Sequence, residues 1–288
     1  MKSTSHPGGG PGELRKEDYV EPRCLLCDPP YGKDAAIHPV PQQRIAEKLD
    51  SYMARRDYAG AERHLLYWLE EAILGGDARG ELFLRNELTG HYRKMGSKEK
   101  ALENASRALS LLDSLSFDGS VSYGTTCVNA ATAFHAFGEH ERALQYFEKA
   151  RSVYEKGNNT SPQLLGGLYN NMGLVCNALG KYGEALSLYE KALTVMEQVP
   201  GGVLEQAITC LNMADTIAAR DGNEAGEKQI NELLDRAEML LKDPSAPRDG
   251  YYAFVCEKCA PSFSWYGYFQ TAQELTDTAE TIYRTYDS

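Results

Sequence analysis

Alanine returns in pairs along most of this chain, at Ala101/Ala108, Ala143/Ala150, Ala185/Ala192 and Ala272/Ala279. The first three pairs are spaced 42 residues apart, and each of the four pairs follows a glycine: Gly96, Gly138, Gly180 or Gly267. A fixed interval of this size constrains the fold more than any single motif. A unit so small cannot bury its apolar face alone and has to stack on copies of itself. Each unit reads as helix, glycine turn, helix.

The clearest unit runs from Tyr169 to Leu193. In it, Met172-Gly173 and Cys176 stand on the first helix, and Ala185, Tyr189 and Ala192 on the second. This set resembles a tetratricopeptide (TPR) repeat, in which small residues sit where two helices cross closely and large ones fill the gaps between them. The same template matches Ala130, Ala131, Phe134, Ala143, Phe147 and Ala150 upstream, and before that Leu88, Tyr92, Ala101, Ala105 and Ala108. A degenerate first unit uses Leu49, Tyr52, Ala61, Leu65 and Trp68. The fifth matches through Met213, Ala214, Ile217, Leu234 and Ala237, with Ile230 where alanine is expected and a longer turn at Asp221-Gly222-Asn223. The sixth carries Cys259, Ala260, Phe263, Gly267, Ala272 and Ala279, and Pro261 within its first helix is expected to kink it.

The expected architecture is therefore all-α: a TPR superhelical solenoid of about six helix-turn-helix repeats, near residues 43–75, 82–115, 124–157, 166–199, 207–242 and 251–286. An irregular arm, residues 1–42, precedes it; its Gly/Pro-rich sequence predicts an extended or flexible segment. A sharper reading has Tyr19 to Pro41 packing along the array, as a cap on the first repeat or as a built-in ligand. The standard repeat has about 34 residues, so a 42-residue spacing lengthens each helix by about one turn. Such longer repeats resemble those of the kinesin light chain type.

Composition narrows the partners. Lys+Arg 30 against Asp+Glu 41 leaves a net charge of −11, which repels nucleic-acid backbones and anionic membranes. No apolar run suits a signal sequence or a membrane span, so the expected location is cytoplasmic. The six histidines form no HExxH, and no GxSxG elbow, phosphate loop or dinucleotide fingerprint occurs. No catalytic residues are assigned, and the expectation is a binding protein and not an enzyme.

Seven cysteines are an odd count without the density of a disulfide framework. Cys127, Cys176 and Cys210 fall at core positions of first helices. Two CxxC pairs remain, Cys24/Cys27 in the arm and Cys256/Cys259 on the last repeat, and four thiolates would suffice for a tetrahedral zinc ion. Their separation lies far outside zinc-ribbon spacing, so no cofactor is assigned, and Cys259 reads first as a core position.

Function is expected on the concave wall of first helices, where such arrays bind partners. Asparagine recurs there just before the core pair, at Asn129, Asn171 and Asn212, and Asn86 extends the series one residue out of register with its own unit. Asparagine is a poor helix former, so its return at one helical site asks for a reason. An amide can pair with both N–H and C=O of an extended chain whatever that chain's side chains are. The bland alternative is duplication of a solvent-tolerant residue. Thr132 and His135, then Asn170, Leu174 and Asn177, then Asp215 complete the candidate groove for a protein or peptide ligand. The repeats also resemble those of quorum-sensing peptide receptors, and both resemblances imply a backbone-reading asparagine ladder. The second implies a peptide-responsive switch, although no DNA-binding or bundle output segment is recognisable. Finally, Tyr251, Tyr252, Phe254, Phe263, Trp265, Tyr266, Tyr268 and Phe269 crowd the last repeat, which makes a homodimer through that end a further expectation.

Overall fold

The computed structural model describes residues 37–115, 119–157 and 160–287, and among them it holds twelve α-helices and no strand. Two compact units divide the chain between residues 116 and 117. The N-terminal unit consists of α1 (Gln42–Ala54), α2 (Tyr58–Leu74), α3 (Ala78–Lys94) and α4 (Lys98–Leu115), each packed on the next. The C-terminal unit consists of α5 (Val121–Ala136), α6 (His140–Tyr154), α7 (Pro162–Ala178), α8 (Tyr182–Met196), α9 (Val203–Asp221), α10 (Asn223–Leu241), α11 (Gly250–Trp265) and α12 (Phe269–Asp287). There the helices pair as hairpins, and the first helices of successive pairs, α5, α7, α9 and α11, also touch one another.

Local chemistry sets the helix ends. Ser120, Ser161 and Asp249 accept hydrogen bonds from the backbone N–H three residues on, which caps α5, α7 and α11. Pro162 opens α7, where its missing N–H costs nothing. Most hairpin turns are three residues with a central glycine at positive φ, as at Gly138 (85°) and Gly180 (71°), a conformation that side chains resist. In the degenerate first pair Arg56 occupies that place with φ 55°.

The fifth hairpin departs from expectation. Its turn is shorter, not longer: Gly222 alone (φ 85°, ψ 160°) separates α9 from α10, and the additional residues extend both helices to 19 residues each. Helix α11 runs from Gly250 to Trp265 through Pro261. The proline removes one intrahelical donor, and the helix continues past it for four more residues to Trp265.

The repeat alanines are the core. Ala101, Ala143, Ala150, Ala185 and Ala192 are fully buried, as are the aromatic residues Phe134, Phe147, Tyr189 and Phe263. Glycine marks the closest crossings: a Cβ on Gly124 would overlap the Tyr154 ring, one on Gly173 would overlap the Tyr189 ring, and one on Gly166 would press on Met196. Gly124 and Gly166 are 42 residues apart, as are Tyr154 and Met196, so the same close approach is built twice with different large partners.

Residues 1–36 of the arm, with Cys24 and Cys27, lie outside the described residues. Its last residues dock in the N-terminal unit: His38 N–H donates to Gly75 O at 2.9 Å, and Val40 N–H donates to Asp77 Oδ2 at 2.9 Å. Buried Asp77 uses its other oxygen to cap α3 through Gly80 N–H. One carboxylate therefore joins the incoming chain to the turn between α2 and α3.

Candidate peptide-binding face

Burial defines the register of the first helices. Gly124, Gly166, Ala207 and Ala253 are buried and equivalent, as are Cys127, Tyr169, Cys210 and Cys256, then Ala131, Gly173, Ala214 and Ala260, then Phe134, Cys176, Ile217 and Phe263. In this register Asn129, Asn171 and Asn212 occupy one position, and Lys258 takes it on α11. At about 100° per residue that position points away from the hairpin core, and all three asparagines are half-buried. In the N-terminal unit the buried series Leu82, Leu84, Leu88, Thr89, His91 and Tyr92 puts Glu87 at the equivalent place, with Asn86 one residue earlier. Burial, followed by the nearby charge of Asp50, pushes the Glu87 carboxyl above its ordinary pKa.

The neighbouring candidates differ in what they already hold. Asn170 Oδ1 accepts from Asn212 Nδ2 at 2.9 Å and from Thr209 Oγ1 at 3.2 Å, bridging α7 and α9. Part of the amide series thus serves the junction between repeats, a role that spacing alone did not distinguish from ligand binding. Thr132 Oγ1 donates back to Val128 O at 2.7 Å, so its hydroxyl is turned along its own helix. Leu174 is half-buried between Asn171 and Asn177, and the buried Asn177 Oδ1 has no hydrogen-bond partner.

His135 Nδ1 lies 3.0 Å from His140 Nδ1 across the α5–α6 turn, which requires one ring to donate and the other to accept. Burial, and then the neighbouring imidazole, hold the His135 pKa down. Asp215 Oδ1 accepts from Tyr266 Oη at 2.9 Å; burial raises its pKa and that hydrogen bond partly opposes the rise.

The aromatic last repeat is tied in largely through hydroxyls. Besides Tyr266, Tyr251 Oη donates to Glu205 at 2.9 Å, Tyr252 Oη to Leu241 O at 2.9 Å and Tyr268 Oη to Asp235 at 2.8 Å. Tyr252, Phe263, Cys256 and Cys259 belong to the core shared by α9 to α12. Burial pushes both thiols up, Cys259 to about 12, so each is held as a small apolar group. Among the described residues no three His, Cys, Asp or Glu side chains converge as metal ligands, and no helix is long and apolar enough to cross a membrane.

No curated protein matches the chain by sequence. Solved structures resemble it in fold. NprR in complex with its cognate peptide NprX aligns with a TM-score of 0.58 at 14% identity, covering 86% of this chain and 71% of that one. A Rap protein complexed with competence and sporulation factor aligns with a TM-score of 0.50 at 13% identity, over 85% and 76% of the two chains. The nearly identical TPR-like repeats of a kinesin light chain from Podosopora anserina, in a form with one substitution, align with a TM-score of 0.50 at 18% identity, over 72% and 97%. The tetratricopeptide repeat family model matches residues 84–156 and 164–241, more than half of the sequence. The matched segments hold the hairpins from α3 to α10, and with their buried alanine pairs and glycine turns they show that the chain belongs to the tetratricopeptide repeat family.

Proposed function

We propose that this chain is a non-catalytic scaffold that binds an extended peptide or protein segment along the first helices of its C-terminal unit. The observation that carries this reading is the common register of Asn129, Asn171 and Asn212, half-buried on the side of α5, α7 and α9 that faces away from the core. A side-chain amide pairs with a peptide backbone through a donor and an acceptor together. Each such bond contributes about 0.5–1.5 kcal/mol net, so three amides supply a few kcal/mol before any side-chain contact is made. His135 and Asp215 flank the row. In the N-terminal unit Asn86 and Glu87 present an amide and a carboxyl on the corresponding helix.

The solved NprR structure, which holds its cognate peptide, supports the peptide class of ligand, and the Rap protein with its bound factor agrees with it. A second reading, implied by the resemblance of the repeats to those of quorum-sensing peptide receptors, has peptide binding switch an output supplied by another protein. Five described cysteines are free and buried, and unpaired thiols suit a reducing compartment such as the cytoplasm.

The test is binding of a fluorescent peptide, selected from a random library on the full chain, to wild type and to Asn171→Ala. The variant is expected to bind about tenfold more weakly, the equivalent of about 1.4 kcal/mol, with its urea midpoint unchanged. Equal loss of binding and of stability would make the asparagine a structural residue and sink the reading.

A further inference from the structure

Amides read a peptide backbone without regard to its side chains, so a surface of asparagines alone selects no sequence. Selection has to come from positions beside the row. On α5, α7 and α9 the place seven residues beyond each asparagine is an exposed alanine: Ala136, Ala178 or Ala219. On α11 the same place, seven beyond Lys258, is Trp265, with 76% of its surface exposed. Four residues before the register position, Thr125, Gly167 and buried Ile208 give way to exposed Phe254, whose ring stacks on Tyr251 with centroids 6.2 Å apart. Pro261 is exposed between Phe254 and Trp265. At about 100° per residue, Tyr251, Phe254, Pro261 and Trp265 form one stripe on the side of α11 opposite buried Cys256, Cys259 and Phe263.

We propose that this stripe is the specificity subsite of the groove, and that it takes a large apolar side chain, aromatic or long aliphatic, from the peptide whose backbone the asparagines read. The proposal rests on the peptide reading given above. Two observations favour this occupant. Helix α11 touches α9, which carries Asn212, so the stripe continues the same face within one unit. Its area is also small. Trp265, Tyr251 and Phe254 are exposed by 76%, 47% and 38%, which at about 150–250 Å² per aromatic side chain amounts to roughly 250–400 Å². A stable dimer needs about 800 Å² from each partner, whereas one or two ligand side chains need far less.

The experiment starts by panning a phage library of random decapeptides on the full chain and synthesising the enriched peptides with a fluorescent label. The expected result is enrichment of Trp, Phe, Leu or Met at one position. Replacing that residue by alanine, or making Trp265→Ala in the protein, should each weaken binding at least tenfold, and the two changes together should cost little more than either alone. An independent reading comes from unaltered protein. Trp68 is only 5% exposed, so acrylamide quenching reports mainly on Trp265 and should fall when the peptide binds.

Enriched peptides that need Asn171 but show no apolar preference and ignore Trp265→Ala would overturn the subsite and leave the peptide reading standing. Peptides that need Trp265 but ignore Asn171→Ala would overturn the proposal as stated, because the two features would not serve one ligand. No enrichment at all would overturn both. A wild-type dimer that becomes a monomer on Trp265→Ala would give the stripe to a second copy of this chain and overturn the proposal as well.

Discussion

Asn170 on α7 and Asn212 on α9, 42 residues apart in sequence, are joined amide to amide at 2.9 Å, with Thr209 donating to the same Asn170 oxygen at 3.2 Å. The single Thr209 hydroxyl proton also has Glu205 O within reach at 2.8 Å, so it keeps an acceptor if Asn170 is lost. Asn170→Ala should therefore destabilise the junction of the fourth and fifth hairpins by about 0.5–1.5 kcal/mol. Urea unfolding followed by circular dichroism measures this. Its neighbour Asn171, which has no such bond across the junction, should show no loss in the same experiment.

Two glycines on one helix should respond to alanine with opposite signs. A Cβ on Gly173 meets the ring of fully buried Tyr189, whereas one on Gly167 meets nothing within 4 Å. Alanine is favoured over glycine in a helix by about 0.5–1 kcal/mol, so Gly167→Ala should stabilise by that amount. Gly173→Ala gains the same backbone term but forces the ring to shift in a packed core, which costs about 1–3 kcal/mol. The expected net result is destabilisation, read as a lower urea midpoint.

The histidine pair predicts a pH response of definite sign. Burial and the adjacent His140 ring lower the His135 pKa from its ordinary value of 6.5. A depressed pKa means that the folded chain favours the neutral ring. The associated stability is present above pH 6.5 and is lost as pH falls through the lower folded value. NMR titration should find His135 titrating below 6.5, and His140→Gln should move it part of the way back, with the burial contribution remaining. A His135 that titrates at or above 6.5 contradicts the arrangement.

Asp77 has two structural duties within one buried side chain, the cap of α3 and the acceptor for Val40 N–H. Asp77→Ala removes a helix cap, at about 1 kcal/mol, and leaves the Val40 donor unsatisfied, at about 1–3 kcal/mol. A drop of about 2–4 kcal/mol in unfolding free energy is expected, together with faster hydrogen exchange at the Val40 amide. Unchanged exchange at Val40 would show that the arm is held there by other contacts.

Much of the architecture was legible in the residues because it rests on local size. Ala143, Ala150, Ala185 and Ala192 are small where helices cross, and every one of them is buried. The glycines between helices were legible for a similar reason, since a positive φ disfavours other residues at Gly96, Gly138, Gly180 and Gly267. The fifth turn was not legible. Asp221-Gly222-Asn223 reads as a loop, yet Asp221 closes α9 and Asn223 opens α10, which leaves Gly222 alone between them. Asparagine periodicity likewise pointed to the face but not to the duty of each amide.

The linear order of residues settled the period, the hairpins and the identity of the buried set, because each depends on groups within a turn or two of one another or on a pattern copied from unit to unit. Whether Asn170 faces Asn212 or a ligand, whether Tyr251 and Tyr266 are spent on Glu205 and Asp215, and whether Trp265 lies in the core or in water were decided only by stacking. The physical reason is distance along the chain. These partners are some 40 to 50 residues apart, and the angle at which one hairpin rests on the next, which no local propensity encodes, determines which side chains meet.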